Sequence, residues 1–465
     1  MSGSPEKEVV ERFAAAWERT DYGAMYRELD PGSRRSLSED EFAAAYRDAA
    51  EVATLRELEL GEVGDPSERD GATVVPVEAE VGTAAFGPFE AELELPVSAE
   101  GVAWGPSHVL PGLRAGERVE NDVELAPRAP ILARDGTPLA EGPAEAREHP
   151  IGSAAIDVTG EVGMPEEEDL PEFARRGFPP GTPVGISGLE EAFDARLAGR
   201  PGGQLLAVDE ATGASRTLAQ AEPRPGAPLK TTVDPELQET AVAALAGRLG
   251  GIAVLDTRSG NVRALAGQAF SAPRPPGSTF KLVTTTAALQ EGAVSLDDEF
   301  EISDGINVGG RFIYNANGEF CGGTFTEAFA HSCNAVFAPL GPEVGNDKLV
   351  EVAERFGFNS SPTLYAADAV REMELPEASI PTEIGSELDL GVSAIGQGEV
   401  LATPLQMATV AQTIANDGVR NPTSLVLNRK LRPDAEPVRV MTADLADQIT
   451  ELMVGVVVGG TGTAG

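Results

Sequence analysis

The chain has 465 residues, 42% of them hydrophobic and 24% charged, which is the composition of a multidomain globular protein and not of a disordered one. Asp and Glu number 75 against 35 Lys and Arg, so the formal net charge is −40. This charge argues against nucleic-acid binding and against docking on an anionic membrane through basic residues, because both depend on neutralising phosphates.

The first part of the chain predicts helices followed by strands. Apolar residues recur at helical spacing in 9–17 and again in 42–49. Between residues 89 and 97 apolar residues alternate with glutamates, which is typical of a half-buried strand in an antiparallel sheet. We therefore expect residues 1–115 to form a small α+β domain with its helices on one side of a curved sheet.

The middle part, residues 116–226, is punctuated by proline, glycine and turn dipeptides such as Asp135-Gly136. Apolar residues recur throughout, so a mere linker is the weaker interpretation. We predict a loop-rich β module with one helix around Leu189 to Leu197 and a solvated loop at 164–169.

The third part, residues 227–465, has mixed α/β content. Asp234-Pro235 predicts a capped helix that runs to about Leu249. A hairpin is expected from Ile252–Leu255 and Val262–Leu265, and long helices are expected at 280–290 and 404–416. This part is large enough to hold a catalytic cleft.

The sharpest chemical feature is Ser278-Thr-Phe-Lys281, behind a Pro-Pro-Gly turn and at the start of an apolar helical run. A lysine three residues after a serine lies one turn further along the same helix face, and a buried, neutral lysine can take the hydroxyl proton. Ser4-Pro-Glu-Lys7 matches the same spacing, but it lies in a polar terminus. An alternative reading makes Ser278 an ordinary helix cap.

A second feature is Ser332-Cys-Asn334, a polar tripeptide inside an apolar helical segment. Ser and Asn compete with the helix backbone for hydrogen bonds, so such positions often mark a turn, a cap or a site. Ser-x-x-Lys followed by Ser-x-Asn is the motif order of penicillin-binding proteins and serine β-lactamases. In that reading Ser332 relays a proton from Lys281 to the leaving amine, and Asn334 offers its amide to a substrate carbonyl.

With these motifs the third part resembles the transpeptidase domain of a class B penicillin-binding protein. The middle part resembles the dimerisation, or pedestal, domain of that family, and the first part is similar to the nuclear-transport-factor-like domain of methicillin-resistance-type members. The stretches that carry the resemblance are Trp104-Gly-Pro-Ser107, Leu110-Pro-Gly112, Gly188-Leu-Glu190, Leu197-Ala-Gly-Arg-Pro-Gly202, Thr232-Val-Asp-Pro-Glu-Leu-Gln238, Phe356-Gly-Phe-Asn359, Ser393-Ala-Ile-Gly-Gln-Gly398 and Thr403-Pro-Leu-Gln-Met407.

The resemblance implies a multidomain α+β protein that cross-links peptidoglycan stem peptides through an acyl-enzyme on Ser278. It also implies acylation by β-lactams, work alongside cell-wall synthesis proteins, and a location outside the cytoplasm at the plasma membrane. No cofactor, metal or nucleic acid is expected. Two other functions stay open: a serine β-lactamase or β-lactam sensor, and a non-catalytic scaffold.

The sequence departs from the family pattern at both ends. The third motif, Lys-Thr-Gly, is missing. The most similar segment is Gly459-Gly-Thr461-Gly-Thr463, which is either a degenerate motif or the segment that precedes the motif strand. No signal peptide or membrane anchor is recognisable. We expect a serine-type D,D-transpeptidase whose transpeptidase domain is incomplete at its C-terminus; lack of that strand could leave this chain as written inactive.

The cysteines and histidines are too scattered to suggest a zinc site: Cys321, Cys333, His108, His149 and His331. Cys321 and Cys333 either pair as a disulfide that braces the Ser332 loop or remain two buried thiols. A histidine at position 331 is more typical of a packed or exposed helix residue than of a catalytic base.

Overall fold

A computed structural model describes residues 4–69, 71–366 and 375–463 of the chain. Residues 1–3, the start of the N-terminal stretch considered above, therefore lie outside the described residues. No helix among the described residues is both long and apolar enough to cross a bilayer.

The N-terminal part packs helices on one face of a twisted antiparallel sheet. The helices are α1 (Pro5–Glu18), α2 (Tyr22–Arg27), α3 (Pro31–Ser36) and α4 (Glu39–Val52). The strands are β1 (Leu55–Val63), β2 (Ser67–Arg69), β3 (Ala72–Thr83), β4 (Pro88–Ser98) and β5 (Gly101–Val102). The sheet order is β1-β3-β4-β5, with β2 paired to β3. Fully buried Phe13, Phe42 and Tyr46 fill the space between the layers, so the predicted helices and alternating strand are confirmed.

The middle part is built from short strands and short helices. Its strands are β6 (Glu117–Glu124), β7 (Ile131–Leu132), β8 (Pro138–Ala140), β9 (Val162–Gly163), β10 (Val184–Gly185), β11 (Gly202–Asp209), β12 (Ser215–Ala221) and β13 (Leu229–Lys230). Its helices are α5 (Ser153–Thr159), α6 (Leu170–Arg175), α7 (Gly188–Ala192) and α8 (Asp194–Leu197). The prediction of one helix was wrong, since α7 and α8 are separated at Phe193, whose backbone leaves the helical region.

The C-terminal part surrounds a central helix with further helices and small sheets. Its helices are α9 (Pro235–Leu245), α10 (Lys281–Glu291), α11 (Phe325–Ala330), α12 (Asn334–Val344), α13 (Asn346–Arg355), α14 (Glu387–Ala394), α15 (Pro404–Ala415) and α16 (Ala443–Gly459). Its strands are β14 (Gly251–Leu255), β15 (Val262–Gly267), β16 (Glu299–Ser303), β17 (Gly305–Val308), β18 (Arg311–Tyr314), β19 (Cys321–Thr324), β20 (Val419–Arg420) and β21 (Val438–Arg439).

The predicted hairpin is confirmed by the antiparallel pairing of β14 with β15. The first helix, however, ends at Leu245 and not near Leu249, because Ala246 adopts a left-handed conformation at φ 49° and Gly247 follows it. Helix α10 is almost entirely enclosed, with Val283 through Ala288 buried. Lys281, the first residue of α10, is therefore held in the interior of this part of the chain.

Candidate active site

A tight 3₁₀ turn, Gly277–Phe280, carries Ser278 into helix α10. Gly277 lies at φ 58°, a conformation that favours glycine, and its N–H donates to the carbonyl of Gly396 at 2.8 Å. Gly396 is itself tightly packed, because a Cβ there would lie 2.1 Å from the Gly277 oxygen. The Ser393–Gly398 segment thus fixes the turn that presents Ser278.

Ser278 and Lys281 occupy the two ends of this turn. The N–H of Lys281 donates to the carbonyl of Ser278, and residues three apart in a 3₁₀ turn project to the same side. Ser278 is exposed, whereas Lys281 is only 2% exposed. Among the described residues, the Ser278 hydroxyl makes no hydrogen bond, so it is unengaged, and it lies one turn from a buried amine.

The amine of Lys281 is held by the second motif. Its Nζ donates to the carbonyl of Ser332 at 2.7 Å and to Asn334 Oδ1 at 2.8 Å, and it lies 3.0 Å from Ser332 Oγ. A neutral amine has two N–H groups and one lone pair, so it can donate to the two carbonyl-type oxygens and accept from a hydroxyl. The structure therefore brings Lys281, Ser332 and Asn334 together.

Burial sets the charge of this amine. Removal from water disfavours the ammonium form and lowers the pKa of Lys281 from 10.5 to about 7. The ring of Phe337, whose centroid is 5.0 Å from Nζ, lines the same space. A lysine in this setting can bind and release a proton at neutral pH.

Ser332 lies in the sharp turn between α11 and α12. Its φ is 55°, which is uncommon for a residue with a side chain, and its N–H donates to the carbonyl of Phe329. The next residue, Cys333, forms a disulfide with Cys321 on β19, across a Cα–Cα distance of 5.9 Å. The pairing that the sequence left open is thus present, and it ties the middle of the motif to a neighbouring strand.

Asn334 begins helix α12, and its Nδ2 donates to the carbonyl of Tyr314 at 2.9 Å. The start of α12 is also held by Asn315, which the sequence reasoning missed. Asn315 Oδ1 accepts from the N–H of Ala335, while its Nδ2 donates to the carbonyls of Ser303 and Glu319. No sequence pattern marks Asn315, because its partners lie up to 20 residues away.

The residues Gly459–Thr463 do not form an edge strand. They continue from α16 into a turn, and the N–H of Thr461 donates to the carbonyl of Ala330 at 3.1 Å. A Cβ on Gly460 would lie 2.1 Å from the Ala330 oxygen, so this position has no room for a lysine side chain. The interpretation of Gly459–Thr463 as a degenerate Lys-Thr-Gly motif on an edge strand is therefore wrong.

His331 pairs with the exposed carboxylate of Glu319 at 3.1 Å and is itself exposed. This position is that of a surface residue and not of a base in the site. In the part of the chain that the structure describes, no three His, Cys, Asp or Glu residues gather as metal ligands would.

Comparison with known families accounts for nearly the whole chain. Residues 250–465 match the penicillin-binding protein transpeptidase domain, 142–231 match the penicillin-binding protein dimerisation domain, and 5–117 match the NTF2-like N-terminal transpeptidase domain. The chain belongs to the class B penicillin-binding proteins. The family and the multidomain α+β architecture expected from the sequence are thereby confirmed.

Individual relatives agree with this assignment to the penicillin-binding protein family. Peptidoglycan D,D-transpeptidase PbpA of Mycolicibacterium smegmatis is 36% identical over 208 residues, which are 41% of this chain and 40% of PbpA. Among solved structures, penicillin-binding protein 3 of Mycobacterium tuberculosis, complexed with ampicillin, aligns with a TM-score of 0.57 and 25% identity over 72% of this chain and 75% of that one. A D,D-transpeptidase domain from Eggerthella lenta gives a TM-score of 0.57 and 27% identity over 73% of this chain and 83% of that one.

Proposed function

We propose that this penicillin-binding protein is a serine D,D-transpeptidase that cross-links peptidoglycan stem peptides. The observation that carries the proposal is the buried amine of Lys281, bound to Ser332 and Asn334 one 3₁₀ turn from the exposed hydroxyl of Ser278. An exposed serine is a weak nucleophile until a nearby base takes its proton, and a lysine with a pKa of about 7 can do so.

In the acylation step the proton of Ser278 Oγ passes to Lys281 Nζ. The oxygen attacks the carbonyl carbon of the penultimate D-Ala, and the N–H of Ser278, in the first turn of its helix, is free to donate to the developing oxyanion. The C–N bond then breaks. Ser332 Oγ, 3.0 Å from Lys281 Nζ, relays the proton to the departing D-Ala amine and leaves an ester on Ser278.

In the second step an amine from a neighbouring stem peptide attacks the ester. Its proton returns through Ser332 to Lys281, and the serine hydroxyl is restored as the new amide forms. Asn334 positions the donor peptide: its Nδ2 donates one proton to the carbonyl of Tyr314 and keeps a second for a substrate carbonyl.

The proposal extends to the setting of the protein. We place the domains at 1–115, 116–226 and 227–465, and the activity outside the cytoplasm at the plasma membrane, beside cell-wall synthesis proteins. The names of relatives such as PbpA support this setting. The chain spans only 40% of the length of PbpA, so the activity of the whole relative enters here as part of the proposal.

Labelling with a fluorescent penicillin tests the proposed acyl-enzyme on Ser278. We expect the protein to retain the label through denaturation, and a Ser278→Ala variant to take up none. Ser271→Ala removes an exposed serine a few residues upstream and serves as the matched control. Equal labelling of Ser278→Ala would contradict the proposal, and sustained turnover of nitrocefin would favour a β-lactamase. A folded protein that binds wall-synthesis proteins but never takes up penicillin would favour a scaffold.

A further inference from the structure

A second concave surface lies in the C-terminal part of the chain. It consists of two adjoining clefts of about 720 Å³ and about 240 Å³, which share Asn421, Pro422 and Ala435. None of the four proposed active-site residues lines either cleft. We call this surface the basic groove, after the cations that line it: Arg258, Arg420, Arg429, Lys430 and Arg432.

This cluster of cations contrasts with the net negative charge of the whole molecule. In a chain with 75 acidic and 35 basic residues, a surface cation has many carboxylates available as partners. Yet within the described residues none of the five groove cations forms an ion pair, although cations elsewhere do, such as Arg216 with Glu117 and Arg263 with Asp256. Asp434 and Glu436 also line the groove, but both are exposed and pair with none of the five cations.

Arg420 shows most clearly that these cations have no carboxylate partner among the described residues. Its Nε donates to the backbone carbonyl of Arg355 at 2.8 Å, which fixes the guanidinium without neutralising it. Partial burial lowers the pKa of Arg420, but an arginine stays charged at any physiological pH. Gly357 packs closely against this guanidinium, since a Cβ there would lie 3.1 Å from Arg420 Nη1. The smaller cleft is therefore lined by an oriented guanidinium with which no described carboxylate forms an ion pair.

Arg432 repeats the arrangement in the larger cleft. Its Nη2 donates to Asn261 Oδ1 at 2.7 Å, again a neutral acceptor that orients the guanidinium. Arg429 and Lys430 lie on the short turn just before it and are exposed. The groove thus contains two oriented guanidiniums and further cations that can approach a bound group from solvent.

We propose that the basic groove is a binding site for a phosphate-bearing anion. Guanidinium groups bind phosphate oxygens through paired N–H donors, and a compact group with two negative charges neutralises two cations at once. Such a group fits the smaller cleft, of about 240 Å³, better than the flat face of another protein does. Because the molecule as a whole repels anions, binding depends on these local cations and not on a general positive field.

Calorimetric titration with inorganic pyrophosphate at low ionic strength tests the site. A second arm uses flotation with vesicles of 30% phosphatidylglycerol in phosphatidylcholine, against pure phosphatidylcholine. Saturable binding of pyrophosphate alone identifies a soluble phosphate compound as the ligand class. Binding to the anionic vesicles alone identifies a lipid headgroup. Absence of binding in both arms overturns the proposal.

Variants assign the binding to the groove. We expect the double variant Arg420→Gln/Arg432→Gln to weaken binding at least tenfold. Arg248→Gln/Lys348→Gln removes the same charge from exposed positions outside the groove and should keep the affinity within twofold. An equal loss in this control overturns the proposal, because binding would then follow net charge alone.

Two further measurements keep the test decisive. Arg429→Gln/Lys430→Gln changes only exposed side chains, so it reports on the groove even where loss of Arg420 disturbs folding. We expect it to weaken binding about fivefold. Protein already acylated by penicillin should bind the anion with unchanged affinity; loss of binding on acylation would place the anion in the active site and overturn the proposal.

Discussion

The burial of the Lys281 amine predicts quantitatively how acylation depends on pH. Lys281 is 2% exposed, and burial lowers its pKa from 10.5 to about 7. The amine can accept the Ser278 proton only in its neutral form. Acylation by penicillin should therefore be slow in acid, accelerate as the pH rises through 7, and level off above about pH 8.

The magnitude follows from the two pKa values. At pH 7 about half of the buried lysine is neutral, whereas ~0.03% of a lysine with a pKa of 10.5 would be. The site thus gains about 10³-fold in available base, and the difference between 10.5 and about 7 corresponds to about 5 kcal/mol. Lys281→Arg keeps the positive charge but cannot lose its proton, so it should lose about 10³-fold in acylation rate at pH 7 and above.

The assay is the second-order rate of fluorescent-penicillin uptake between pH 5 and pH 9. The wild-type rate should fall about tenfold per pH unit below pH 6, while Lys281→Arg stays low throughout. Lys348→Arg changes an exposed lysine and is the matched control. A flat wild-type profile across this range, or an arginine variant within tenfold of wild type, would refute the reasoning.

Three further predictions concern residues that position the site. Asn315→Ala leaves two carbonyls and the N–H of Ala335 without a partner; we expect a loss of about 2–3 kcal/mol in the free energy of unfolding and at least tenfold slower acylation, read from urea denaturation and penicillin uptake. Cys321→Ala opens a 12-residue loop and should cost about 3 kcal/mol, measured the same way under non-reducing conditions. Gly396→Ala places a Cβ 2.1 Å from the Gly277 oxygen at a φ of 70°, so it should slow acylation at least tenfold by displacing the turn that carries Ser278.

A specific result would contradict each of these three predictions. An Asn315→Ala variant that loses stability but acylates at the wild-type rate would make Asn315 purely structural. Unchanged unfolding of Cys321→Ala would mean that the disulfide does not constrain the chain. Gly396→Ala with wild-type uptake would show that the turn tolerates the displacement, and Gly385→Ala, at an open position, is its control.

Elements with a strong period or a clear cap could be predicted from the sequence. Alternation between residues 89 and 97 gives the burial pattern of β4, because one face of that sheet meets the helices. Asp234 before a proline locates the start of α9, and its side chain does accept from the N–H of Leu237. The middle part was harder, since helices as short as α5 through α8 have too few turns to show a period.

The site residues likewise include some that sequence patterns identified and others that they did not. Motif spacing identified Lys281, Ser332 and Asn334, and hydrogen bonds join all three. Asn315 could not be found, because it acts through the backbone of residues that are distant in sequence. Ser332 does lie in a turn, one of the three possibilities that the tripeptide offered, but its left-handed φ of 55° could not be predicted from the sequence.

The identity of the acylated residue is the most direct test of the central claim. After incubation with penicillin, the protein should gain the mass of one opened antibiotic, and peptide mapping should place that mass on Ser278. An adduct on another residue, or an unchanged mass after prolonged incubation of folded protein, would contradict the account.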